Sequence, residues 1–181
     1  MKHIKRIFTF LLALLTSLSV VVIAHLGITT CLRINAPTMS FIEPNPQLQL
    51  NYQPYTTNLE KWQIRAKLDD IMDTGLYIEI PKDLNGVENG KCRVHFRVIW
   101  IEQSLDSIQY IWSMCHELVH LKHHTICDRY TNYMTFVYLY NSEFRPMAIN
   151  LACSMRDGGF TEECNAYMQI EQYLINKGVE Q

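Results

Sequence analysis

His116-Glu117-Leu118-Val119-His120 puts two imidazoles four residues apart, with a carboxylate directly after the first. On an α-helix, residues four apart share a face, so both rings can turn a nitrogen toward one metal ion. Glu117 lies about 100° further round such a helix. That is a poor position for a third ligand but a good one for reaching a water held on the metal. Zinc in a site of this kind lowers the pKa of its water to about 7, and the carboxylate takes a proton as the water attacks a carbonyl carbon. The chemistry these residues could do is therefore metal-assisted amide hydrolysis.

The flanking sequence supports a helix. Ile108 to Cys115, with Leu118, Val119 and Leu121, form an apolar run free of Pro and Gly. Asp106 stands as N-cap, with Gln109 three residues on as its capping-box partner. An amphipathic core helix with two hydrogen-bonded histidines is the plainer alternative. The third ligand decides the type of site. The longer pattern HExxHxxGxxH requires Gly and His where this chain has His123 and Ile126. His124 falls about 12 Å along the axis from His116, too far to share one tetrahedral ion. No Cys-x-x-Cys pair is present, which excludes a zinc ribbon.

A carboxylate from a second helix is the remaining source, and Phe160 to Ile175 reads as one. Thr161 is its N-cap, Glu162 and Glu163 favour its positive end, and Met168, Ile170, Leu174 and Ile175 supply apolar positions. With Glu163-Cys164-Asn165-Ala166 the chain resembles the gluzincin metallopeptidases, above all the minimal ImmA/IrrE-like group. In that group an HExxH helix is followed by a helix bearing Glu-x-x-Ala, whose glutamate is the third zinc ligand. The resemblance covers about Val94 to Ile175 and implies Zn²⁺ held by His116, His120 and Glu163, with Glu117 as general base and a protein or peptide as substrate. Glu162 is the neighbouring alternative to Glu163. Many gluzincins carry Asp or Asn directly after that Ala; this chain has Tyr167. The resemblance also implies an α+β, zincin-like fold, a small sheet packed on the HExxH helix, and substrate pairing with a sheet edge, for which a strand such as Arg93 to Ile101 is the expected partner.

Residues 1–31 differ in kind. Lys2, Lys5 and Arg6 precede Ile7 to Ile28, a run whose only titratable side chain is His25. This is the layout of a signal peptide or an uncleaved signal anchor, long enough to cross a bilayer as a transmembrane helix. The basic flank would stay in the cytoplasm and place the rest outside it, secreted if the segment is cleaved. Residues 32–56 hold four prolines and read as a linker; residues 57–181 read as the catalytic domain. The net charge of −2 becomes −5 without the three N-terminal cations, and no basic cluster is left for nucleic acid. Among six cysteines, Cys115–Cys164 and Cys127–Cys153 are conceivable bridges.

Elsewhere, Thr57-Asn58-Leu59-Glu60 predicts a capping box opening a helix to about Asp73, with Leu59, Trp62, Ala66 and Ile71 on its apolar face. Leu76 to Ile80 and Lys91 to Ile101 read as strands, the second burying Val94, Phe96, Val98 and Trp100. Arg129 to Asn141 and Pro146 to Met155 read as helices. One of Tyr130, Tyr133, Tyr138 and Tyr140 could donate to the oxyanion of a tetrahedral intermediate. Arg156 and Asp157 are expected in a loop. Two further classes remain open: an inactive zinc-binding interaction module, and a metal-free anchored structural domain.

Overall fold

The computed structural model describes residues 50–158 and 161–178, without the side chains of residues 161–165. The expected anchor over 7–28 and residues 32–49 of the linker lie outside the described residues. Among the described residues, no helix is long and apolar enough to cross a membrane. Residues 50–53 are tied to a later helix: Gln53 and Asn150 exchange hydrogen bonds of 2.6 and 2.8 Å, and Arg156 donates to the Leu50 carbonyl at 2.7 Å.

The first described helix, α1 (Lys61–Met72), has Glu60 as its N-cap, three residues after the predicted Thr57. The Gln63 side chain accepts the Glu60 N–H at 2.9 Å, while Thr57 instead accepts the Leu59 N–H in a local turn. That phase turns Ile64, Leu68 and Met72 inward and leaves Trp62 71% exposed, on the side opposite to expectation. Asp73, in the left-handed region at φ 46°, stops the helix before Gly75.

Strand β1 (Ile78–Lys82) pairs in parallel with β3 (Val98–Glu102), and β2 (Gly90–Arg93) pairs antiparallel with β3 on its other side. The order is β1-β3-β2. The single strand expected over Lys91 to Ile101 is thus a hairpin. Its turn is a 3₁₀ segment, Val94–Phe96, closed by Arg97 at φ 53°. Arg97 is held there by donating to the Leu76 carbonyl at 2.5 Å and to the Thr74 carbonyl. The turn reverses the buried face, so Ile99 and Ile101 enter the core while Val98 and Trp100 are half-buried and Phe96 is exposed. It also makes β3 the central strand, with both edges occupied. The edge beside the next helix belongs to β2.

That helix, α2 (Ser107–His123), packs on α1, β2, β3 and α3 (Asp128–Tyr140). Its capping box is the predicted one: Asp106 accepts the Gln109 N–H at 2.7 Å, and the Gln109 side chain accepts the Asp106 N–H at 3.2 Å. The helices α4 (Arg145–Gly158) and α5 (Thr161–Asn176) pack on each other and on α3. Arg156 and Asp157 close α4 as an ion pair of 2.8 Å rather than lying in a loop. Cys92, Cys115, Cys127 and Cys153 are free thiols, so neither conceivable bridge forms. The architecture is α+β: a three-stranded sheet and five helices among the described residues, consistent with a zincin-like fold.

Candidate metal centre

The phase of α2 sends Leu118, Val119 and Leu121 into the core and keeps His116, Glu117 and His120 on the wall of a cleft. The two Nε2 atoms stand 3.1 Å apart. The His120 ring is oriented from behind: its Nδ1 lies 2.9 Å from the Thr125 carbonyl, which can only accept, and 3.3 Å from the Thr131 hydroxyl. Nδ1 therefore carries the proton, and in the neutral ring Nε2 offers its lone pair to the cleft.

The helix ends at His124, whose left-handed φ of 48° turns the chain back. His124 leaves the metal face this way. His123 also points elsewhere, sharing its two ring nitrogens with the Tyr138 and Tyr130 hydroxyls at 3.1 Å each. The reversal delivers Asp128, first residue of α3, to the histidine pair. Its Oδ1 lies 3.3 Å from His120 Nε2 and 3.7 Å from His116 Nε2. Two donors bound at 2.0–2.1 Å to a tetrahedral zinc are about 3.3 Å apart. The three atoms thus form a triangle close to one face of such a tetrahedron, and the donor set of two imidazoles and a carboxylate suits zinc.

The electrostatics follow from this packing. Hydrogen bonding to His116 and His120 holds the Asp128 carboxyl well below the usual carboxylate range. Burial alone would lower the His120 pKa, but the bond to Asp128 and the charge of Glu117 outweigh it and raise it. Glu117 is shifted upward by burial, against the pull of both histidines.

Two adjoining cavities, of 360 and 190 Å³, share Gly90, His116 and Glu117. The larger adds His120 and Asp128, with Glu88, Lys91, Cys92, Val94 and Ile126 around them. The smaller adds Asn89, Trp112, Ser113 and Asn132. None of Tyr130, Tyr133, Tyr138 and Tyr140 lines either cavity.

The structure brings His116, Glu117 and His120 together as the spacing requires. The side chains of Glu162 and Glu163 lie outside those described; their backbone belongs to the first turn of α5. Asp128 was not singled out from the sequence, although a signal existed. Asp128-Arg129-Tyr130-Thr131-Asn132 repeats the layout of the ligand signature, with a carboxylate, a small residue three positions on, and then Asn. Thr131 is the residue whose hydroxyl meets His120, and Asn132 lines the cleft.

The family model of the IrrE N-terminal-like domain, Peptidase_M78, matches residues 72–177, more than half of the chain. No curated protein matches, and neither does any solved structure.

Proposed function

Since the chain belongs to the Peptidase_M78 family of IrrE N-terminal-like domains, we propose that it is a zinc-dependent peptidase whose working residues are His116, Glu117, His120 and Asp128. The observation that carries this reading is the triangle of His116 Nε2, His120 Nε2 and Asp128 Oδ1, with edges of 3.1, 3.3 and 3.7 Å. Zinc bound there would act as a Lewis acid and lower the pKa of water. Glu117 takes a proton from the attacking water on a carboxylate oxygen. It then passes that proton to the amide nitrogen as the carbon–nitrogen bond breaks. Its buried, upward-shifted carboxyl suits a group that must both accept and return a proton.

Glu163 is the other third ligand to be weighed, from the Glu-x-x-Ala resemblance, with Glu162 beside it. Asp128 is preferred because α3, which carries it, packs directly on α2. The substrate is a polypeptide in extended form. It lies along β2, the sheet edge that lines the cleft, and adds main-chain hydrogen bonds there. The apolar run over residues 7–28, behind three cations, supports attachment to a membrane with residues 32–181 on the extracytoplasmic side. Retention of the full chain in the membrane pellet after an alkaline wash is the outcome that agrees with attachment.

Digestion of a peptide library by wild type and Glu117→Gln, each with its zinc content measured, tests the activity. An enzyme keeps zinc and loses hydrolysis in the variant; an interaction module shows no hydrolysis in either. Zinc retention in Asp128→Asn, Glu163→Gln and Glu162→Gln assigns the third ligand. Loss in Asp128→Asn alone is expected, and loss in Glu163→Gln alone restores the assignment from the resemblance.

A further inference from the structure

Gly90 opens β2 opposite Ile101 of β3. Its backbone is outside the left-handed region, so the strand itself does not demand glycine there. What demands it is the space above the Cα atom. A methyl group at this position would lie 2.9 Å from both Glu117 Cγ and Oε1, and 3.2 Å from Cδ. Carbon atoms at ease stand about 3.5–4.0 Å apart. The three nearest atoms all belong to one side chain, that of Glu117.

Neither backbone can give way easily. The strand is fixed by its ladder to β3 and by the Glu102 N–H donated to the Asn89 carbonyl at 2.9 Å. Glu117 is anchored within α2, between core residues Cys115 and Leu118. The yielding part is the rotatable end of Glu117. Gly90, His116 and Glu117 are also the three residues shared by both cavities, so this contact lies where the two halves of the cleft meet.

We propose that Gly90 is a positioning residue: its missing side chain reserves the slot that holds the Glu117 carboxylate at the junction of the cleft, beside His116 and His120. The proposal rests on the reading of Glu117 as proton carrier. An added methyl leaves the strand intact and pushes the carboxylate out of its slot. A displacement near 1 Å in such a group can cost about 100-fold in rate.

The test compares full-length wild type, Gly90→Ala, Glu117→Ala and the double variant for zinc content, Tm and the kinetics of a peptide that the wild type cleaves. Gly90→Ala is expected to retain zinc, to keep KM within about threefold and to lose about 100-fold in kcat. In the Glu117→Ala background the slot is empty, so adding Gly90→Ala should change neither Tm nor residual hydrolysis. An unchanged kcat in Gly90→Ala overturns the proposal. So does a rise in KM alone, which would assign the glycine to substrate approach, and so does an equal Tm loss in both backgrounds. If the wild type hydrolyses nothing, the peptidase reading fails by itself, and the positioning role falls with it; the Tm cycle still reports whether the Gly90–Glu117 contact exists.

Discussion

Leu118→Ala tests the helical phase on which the whole site depends. Leu118 lies inside the pentapeptide, two residues from each histidine, and so about 160° round the helix from both. It is fully buried. Truncation removes three carbons, worth about 2.4 kcal/mol at ~0.8 kcal/mol per methylene. The cavity left behind adds to this, because α1, the sheet and α3 all pack on α2 and restrict collapse. A total near 4 kcal/mol, within the range of about 2.7–5 for buried leucines, is expected. For a chain of this size, at about 2–4 °C per kcal/mol, Tm should fall by about 8–16 °C. Zinc content at 4 °C should remain that of wild type, since the metal face is untouched. Circular dichroism melts and metal analysis of the same samples measure both. A fall in Tm below about 3 °C, or zinc loss from protein that is still folded at 4 °C, refutes the assigned phase.

Two other perturbations address the supports of the site. Asp106→Ala removes the N-cap of α2 and should cost about 1 kcal/mol, or roughly 2–4 °C in Tm, with zinc content unchanged. Glu102 anchors the loop leading to β2: its carboxylate accepts the Leu84 N–H at 2.6 Å and the Ser104 N–H and hydroxyl at 2.9 Å each. These bonds lower its pKa below the ordinary 4.5, and a group depressed in the folded state contributes stability above its unfolded pKa. Glu102→Gln should therefore lower Tm at pH 7, and the gap to wild type should close as pH falls through about 4.5 and below. A gap that stays constant down to pH 3 contradicts that linkage, as read from melts across pH.

The parts of the molecule that could be read in advance were those governed by local rules. The α2 helix needed only its cap, an apolar face and the absence of breakers, and its histidine spacing put both rings on one face. The hairpin was hidden because alternation of apolar residues continues numerically through Val94 and Phe96, although Arg97 in the left-handed region inverts the face. Two backbone-carbonyl acceptors hold Arg97 in place, and those belong to residues more than twenty positions earlier. Asp128 carries a local signature, but its place beside the histidines was hidden for a similar reason. Its approach to the histidines depends on a left-handed His124, a conformation that a non-glycine residue does not advertise. Gly90 follows Asn89, and such a pair taken by itself reads as a turn. Its meaning appears only when α2 is packed against β2, which no periodicity reveals.

The central claim is that α2 and α3 hold one metal ion between His116, His120 and Asp128. Zinc stoichiometry, measured by plasma mass spectrometry on the full chain purified in detergent and gel-filtered, tests it most directly. About one equivalent is predicted in wild type, with near-complete loss in His120→Ala at unchanged helical content. A wild-type protein that takes up no zinc, or a His120→Ala variant that keeps it in full, would contradict the account.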